Sequence, residues 1–134
     1  MSRTPANSAL TVQRGATWED EFTYLDENGL PIDLTGYEAR MQVRTLATRY
    51  GTSTTGVMLE ASTTGANPLL VWDTAATGRL RIVARPDQHE ALNAGNAKKA
   101  KYAYAIELHK PDGTGEYVLP LVEGVLTVRG EVAR

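Results

Sequence analysis

Apolar residues recur along this chain at every second position, the repeat of strands with one face buried, and not at the three-to-four spacing of helices. Leu10 and Val12 alternate with Thr11 and Gln13 until Arg14-Gly15 interrupts them. Trp18, Phe22 and Tyr24 share one parity, while Glu19, Glu21 and Thr23 take the other. Asp20 falls on the apolar parity, which predicts a late start or a bulge in that strand. Asp26-Glu27-Asn28-Gly29 supplies a turn, because Asn and Gly tolerate positive φ. Leu30 to Gly36 follows as a short extended piece in which Pro31 disfavours a central strand position. The clearest strand comes next: Tyr37, Ala39, Met41 and Val43 face one way, and Glu38, Arg40, Gln42 and Arg44 the other.

Beyond that strand, composition marks residues 49–56 as a flexible loop. A second loop, Ser62 to Pro68, separates two short apolar runs, Val57 to Ala61 and Leu69 to Trp72, which read as strands. Arg79-Leu80-Arg81-Ile82-Val83 alternates with its basic residues outward. Pro86 to Asn93 is the one helix candidate, two turns at most, with Asp87 and Glu90 at capping-box spacing and Asn93-Ala94-Gly95 as a stop. Tyr102, Tyr104, Ile106 and Leu108 form the longest alternating strand, closed by Pro111-Asp112-Gly113. The runs Tyr117 to Val122 and Val125 to Val132, split by Glu123-Gly124, predict a final hairpin. Eight to ten short strands with one helical turn read as an all-β antiparallel sandwich or partly closed barrel. Residues 1–9 read as a flexible arm, and 10–134 as the β domain.

Composition narrows the function. A length of 134 residues suits one domain. Fourteen Lys and Arg stand against sixteen Asp and Glu, a net charge of −2, which lacks the electrostatic footprint of a dedicated nucleic-acid or anionic-membrane binder. With no cysteine, a disulfide frame, a thiolate metal site and a cysteine nucleophile are excluded. No stretch approaches the roughly 20 apolar residues of a membrane span, and Met1 to Ser8 lacks the apolar core of a secretory signal.

Candidate chemistry is sparse. Ser2, Ser8, Ser53 and Ser62 sit in the arm or in loops, and none lies in a Gly-x-Ser-x-Gly elbow. His89 on the helical turn and His109 on the polar parity of its strand read as solvent-exposed. Alternation divides the acidic run Glu19-Asp20-Glu21 between two faces, so it reads as a solvated strand face and not as a metal site. No glycine-rich phosphate loop occurs. No catalytic, cofactor-binding or metal-ligating residue is therefore expected. Lys98, Lys99 and Lys101 precede Tyr102 and Tyr104, a basic-aromatic pattern that single-stranded nucleic acid uses, yet a sheet core absorbs those tyrosines equally well. Arg40, Arg44, Arg79 and Arg81 form a basic polar set, with Glu38 and Glu107 as cross-strand partners. An inter-subunit salt-bridge surface is the alternative use of those arginines. Trp18 and Trp72 are the aromatics available to a carbohydrate-binding reading, with core packing as its rival.

Several blocks together resemble a family of small tailed-bacteriophage virion proteins: Leu10 to Thr17, Gly29 to Gly36, Tyr37 to Arg44, Leu59-Glu60, Gly78 to Ile82, Tyr102 to Leu108, Asp112-Gly113, and Leu121 to Gly124 running into Val128. The Gly-x-Pro-x-Asp-Leu-Thr-Gly block is the most specific. Members of that family are similar to the immunoglobulin-like N-terminal module of upper baseplate proteins. The resemblance implies an immunoglobulin-like β-sandwich that assembles into the virion in several symmetric copies and docks other virion proteins, with no catalysis, no cofactor, no nucleic acid and no membrane. Asp33-Leu34-Thr35-Gly36 would then form a rigid corner that fixes the next strand, with Leu34 in the core. A tail, neck or baseplate adaptor is the expected role, and capsid decoration or cell-surface binding the alternative. Docking falls to Arg3 and Pro5 in the arm, Tyr50, Thr52 and Thr54 in the first loop, the four arginines, and exposed strand edges.

Overall fold

In the computed structural model, the period-two segments become nine strands packed as two sheets; residues 6–48, 56–64, 69–111, 113 and 115–131 are described, with side chains from residue 8 onward. The strands are β1 (Ala6–Asn7), β2 (Leu10–Gln13), β3 (Trp18–Thr23), β4 (Glu38–Thr45), β5 (Val57–Ser62), β6 (Leu70–Thr74), β7 (Arg79–Ala84), β8 (Lys99–Pro111) and β9 (Glu116–Arg129). The larger sheet runs β1-β9-β8-β4-β5, with β2 also on β9; the smaller runs β3-β7-β6. Ala39, Met41, Val43, Ile106, Leu108, Leu126 and Val128 of the larger sheet meet Trp18, Leu70, Leu80, Ile82 and Ala84 of the smaller in one buried cluster. The fold is an all-β sandwich. Removing such side chains from water supplies the main driving force, about 1.5–3 kcal/mol for each large one.

The sandwich is not purely antiparallel. β1 and β2 run parallel to β9, pairing Ala6 with Val122 and Leu10 with Leu126. Ala6 to Ser8, assigned by pattern to the arm, thus join the sheet, and Ser8 N donates to Glu123 O at 2.9 Å. Alternation along a strand cannot report the direction of its partner. The last two apolar runs also differ from expectation: they form one continuous strand, β9, whose hairpin partner is β8. Gly124 splits the pattern but not the strand. A Cβ there would run into the Ser8 carbonyl, where the N-terminal chain steps from β1 to β2. That same carbonyl accepts the Tyr104 hydroxyl, and Tyr104 stands opposite Gly124 in register. Pro120, which has no N–H to give, sits at the β-bulge where Ile106 pairs with Val122 and Glu107 with Pro120.

The turns follow local chemistry closely. Asp26 Oδ1 accepts from Asn28 N and Leu30 N, both at 2.9 Å, and Gly29 takes φ +79. At the corner before β4, Asp33 Oδ1 accepts Thr35 N at 2.9 Å and Thr35 Oγ1 at 2.6 Å. Gly36 takes φ +90, Tyr37 N donates to Leu34 O at 3.1 Å, and Leu34 is fully buried. The expected rigid corner is present. Asp20 causes neither a late start nor a bulge. β3 pairs with β7 without a break, and Asp20, half-buried on the inner parity, accepts the Trp18 indole N–H at 2.7 Å.

The two-turn helix is absent. Pro86–Gln88 form a single 3-10 turn, closed by Arg85 N donating to Gln88 Oε1 at 2.8 Å, and further turns carry the chain to Gly95. Two more 3-10 turns, Leu46–Thr48 and Ala75–Thr77, occur among the described residues. Because the segment crosses from the smaller sheet to the larger, it folds His89 and Leu92 inward. His89, expected in solvent, is completely buried edge-on to Trp18. Its Nε2 donates to Ala16 O at 2.7 Å, a carbonyl in the opposite crossover between β2 and β3. Asn93, in the left-handed conformation, donates its Nδ2 to Ala97 O and Val128 O.

The Ser8–Gly124 crossing yields a specific expectation. Gly124→Ala should lower stability by about 1–3 kcal/mol, the usual cost of overpacking a tight site. It should also open amide exchange across Leu10–Gln13 before the rest of the larger sheet. Gly95→Ala, where an added methyl meets nothing within 4 Å, is the control. Equal melting shifts for the two variants would remove the crossing's structural role.

Candidate interface surfaces

The residues expected to carry contacts divide into two groups. Arg3, Pro5, Tyr50, Thr52 and Thr54 lie outside the described residues. The four arginines are described, and they do not form one surface: Arg40 and Arg44 are on β4 of the larger sheet, Arg79 and Arg81 on β7 of the smaller. Common strand parity cannot reveal membership of different sheets.

Each pair is tied largely within the molecule. Arg40 Nε donates to Glu38 Oε1 at 2.6 Å, and its Nη2 reaches Glu116 Oε2 at 3.2 Å. Glu116 is on β9, beyond the expected partners Glu38 and Glu107, and only a hairpin as long as β8–β9 brings it there. Arg44, expected on the solvent face, is buried; its Nε donates to Gln42 Oε1 at 3.1 Å and its Nη1 to Thr48 O at 3.4 Å. The 3-10 turn after β4 folds back over it. Arg79 donates twice to Glu21 Oε1, at 2.6 and 3.0 Å, with Asp73 at 3.7 Å. Arg81, half-buried, stands opposite Glu21 and Val71. Exposed pairs of this kind are weakened by solvent and salt, so they hold side-chain geometry more than they hold the fold.

His109 departs from expectation as well. Its polar parity predicted solvent, yet it is buried beneath the end of the β8–β9 hairpin, and its Nδ1 donates to Glu116 Oε1 at 2.8 Å. Glu107 Oε1 lies 3.7 Å from its other nitrogen. Arg40, Glu116 and His109 thus form a chain across three strands that spacing along the sequence did not announce. The only available signal was the turn chemistry of Pro111-Asp112-Gly113, which brings residue 116 back beside 109.

Other candidates resolve simply. Trp18 is buried, and Trp72 is half-buried with its indole N–H donating to Tyr37 O at 3.1 Å, so both pack as core aromatics. Among the described residues, no three His, Asp or Glu side chains converge to hold a metal, and no helix is long and apolar enough to cross a membrane. An open groove of about 530 Å³ follows the β4–β5 edge, lined by Glu38, Arg40, Gln42 and Glu60 among others. The lateral strands are β1, β2 and β5 in the larger sheet and β3 and β6 in the smaller, each with one row of backbone groups outside the ladder among the described residues.

Comparison with known proteins adds an architectural relative. No family model and no curated protein matches the chain. Among solved structures, the N-terminal domain of phage TP901-1 ORF48 aligns over 96% of this chain and 92% of its own, with a TM-score of 0.53 and 15% sequence identity. At that identity the likeness is one of fold.

The Arg40–Glu116–His109 chain has a measurable signature. The His109 hydrogen bond, with added attraction from Arg40, holds the Glu116 carboxyl below the ordinary carboxylate range. A carboxylate depressed in the folded state stabilises the protein above its unfolded value, and that contribution is lost as pH falls through the folded one. Side-chain NMR titration should show Glu116 titrating early, and His109→Ala should move it upward. An unchanged Glu116 titration in that variant would contradict the geometry.

Proposed function

We propose that this chain is a structural component of a tailed-phage virion, an adaptor of the tail, neck or baseplate that acts by docking and not by chemistry. The observation that carries this reading is the fold shared, end to end, with the N-terminal domain of a phage protein. It joins the resemblance of the Gly29 to Gly36 block and the later strand blocks to small virion proteins, a separate line resting on residues and not on shape.

The structure offers what docking requires. A sandwich presents flat outer faces and lateral strand edges, and an edge strand extends its sheet into a partner through backbone hydrogen bonds. The β3 edge carries Glu19 and Glu21, charges that discourage indiscriminate pairing. The β5 edge, Val57-Met58-Leu59-Glu60-Ala61-Ser62, carries one charge and is the better site for addition of a partner strand. The protein then works in symmetric copies within the particle, and its neighbours are other virion proteins.

Mass spectrometry of purified particles should find this chain in a stoichiometry set by the particle's symmetry. A map of the intact virion should place its density at the neck, tail or baseplate. Absence from particles would overturn the reading; density spread over the capsid shell would replace the adaptor role with decoration.

A further inference from the structure

Residues directly opposite one another in a ladder point to the same face, so the register of β8, β9 and β2 defines the outer surface of the larger sheet. At one end of that surface Lys99 faces Arg129, and Lys101 lies in the next row opposite Thr127. Gln13 and Thr11 of β2 continue those two rows. Lys99, Lys101 and Arg129 are exposed, and no acidic side chain among the described residues pairs with any of them. Like charges placed directly opposite destabilise a sheet, so a cation pair at Lys99–Arg129 is a cost that the isolated molecule leaves standing.

Further along the same strands the face changes sign. Glu107, Glu123, Glu60, Glu38 and Glu116 gather there against Arg40, while Arg44, on the same face beside Ala103, is buried and bonded to Gln42 and Thr48. Between the two ends, β8 and β9 present a centre of smaller side chains: Ala103 opposite the exposed Val125, then Ala105 opposite Glu123. Eight residues of strand separate Lys99 from Glu107, about 26 Å. That exceeds the Debye length of about 8 Å at physiological salt. The two ends therefore do little to neutralise each other within one molecule.

We propose that two copies of this chain pack this face to face with their strands antiparallel, the basic end of each on the acidic end of the other and Ala103, Ala105 and Val125 at the two-fold axis. A uniformly acidic partner satisfies the basic end but repels the other. The surface that satisfies both is one with the same two ends in reverse order, and a two-fold rotation of this face is that surface. Twisted sheets stack in this manner at about 30° and about 10 Å apart, a distance that small central side chains permit. Nucleic acid fits poorly: the acidic end repels phosphate, and the tyrosines beside the lysines are on the inner face. Tyr104 is buried, and the Tyr102 hydroxyl accepts from Asn93 N. The inference rests on the self-association in the reading above, not on the location in the particle.

The test is sedimentation equilibrium of the full chain at low and high salt, with circular dichroism to confirm folding of each variant. A dimer should form at low salt and weaken at least about tenfold near 0.5 M salt, as an interface steered by charge does. Lys99→Glu with Lys101→Glu should abolish it, and so should Glu107→Lys with Glu123→Lys. Mixing the two double variants should restore a heterodimer, because each substituted side chain then again faces one of opposite charge. A wild-type monomer at all salts, or a mixture that stays monomeric, overturns the proposal. So does single-stranded DNA binding that is lost in Lys99→Glu with Lys101→Glu. A salt-sensitive dimer of a chain absent from virions would uphold this interface and defeat the virion reading; a monomer recovered from virions would do the reverse.

Discussion

β9 has to satisfy its backbone on both sides, and the rest of the larger sheet is arranged around that requirement. A buried strand cannot leave its N–H and C=O groups unpaired. β8 supplies one side through the long hairpin, and β1 and β2, from the opposite end of the chain, supply the other in parallel. Parallel pairing of this kind calls for a connection over the body of the protein, and here nearly the whole fold is that connection. The seam is extended by Gln13 Nε2 donating to Gly130 O and by Arg14 with Glu131. Its one irregularity, the step at Ser8, fits only because residue 124 has no side chain.

What local chemistry governs was legible in the residues. The Asp26 to Gly29 turn and the alternation of β4 as far as Val43 each depend on a few neighbouring positions, while the Asp33 to Gly36 corner with Leu34 in the core followed from the resemblance to small virion proteins. Everything that depended on partners far along the chain was hidden. His89 looked like a surface residue because its own segment is polar; it is buried because Ala16, in another crossover, supplies the acceptor. His109 and Arg44 carry polar parity and are buried by what folds over them. The four arginines shared a pattern but belong to two sheets. Lys99 and Arg129 are thirty positions apart, and only register makes them neighbours.

These long-range placements decide which charges on the surface are already paired. Of the arginines that stood out by pattern, Arg40 and Arg79 are held by glutamates of the same molecule and Arg44 is buried, whereas Lys99 and Lys101 face outward with no acidic partner among the described residues. A net charge of −2 is compatible with a face whose two ends are strongly opposite in sign.

The parallel seam also imposes an order of events on the ribosome. Gln13 and Gly130 are 117 positions apart, so β1 and β2 have no partner until β9 has emerged. At about 5–20 residues per second they wait several seconds or more, with Leu10 and Val12 uncovered. β3 to β7 can complete the smaller sheet meanwhile, leaving the larger one to close last. A chain truncated before β9 would therefore lose that strand and the docking of β1 and β2 at once, and the exposed edge of β8 and the unpaired β2 would be free to join with other chains.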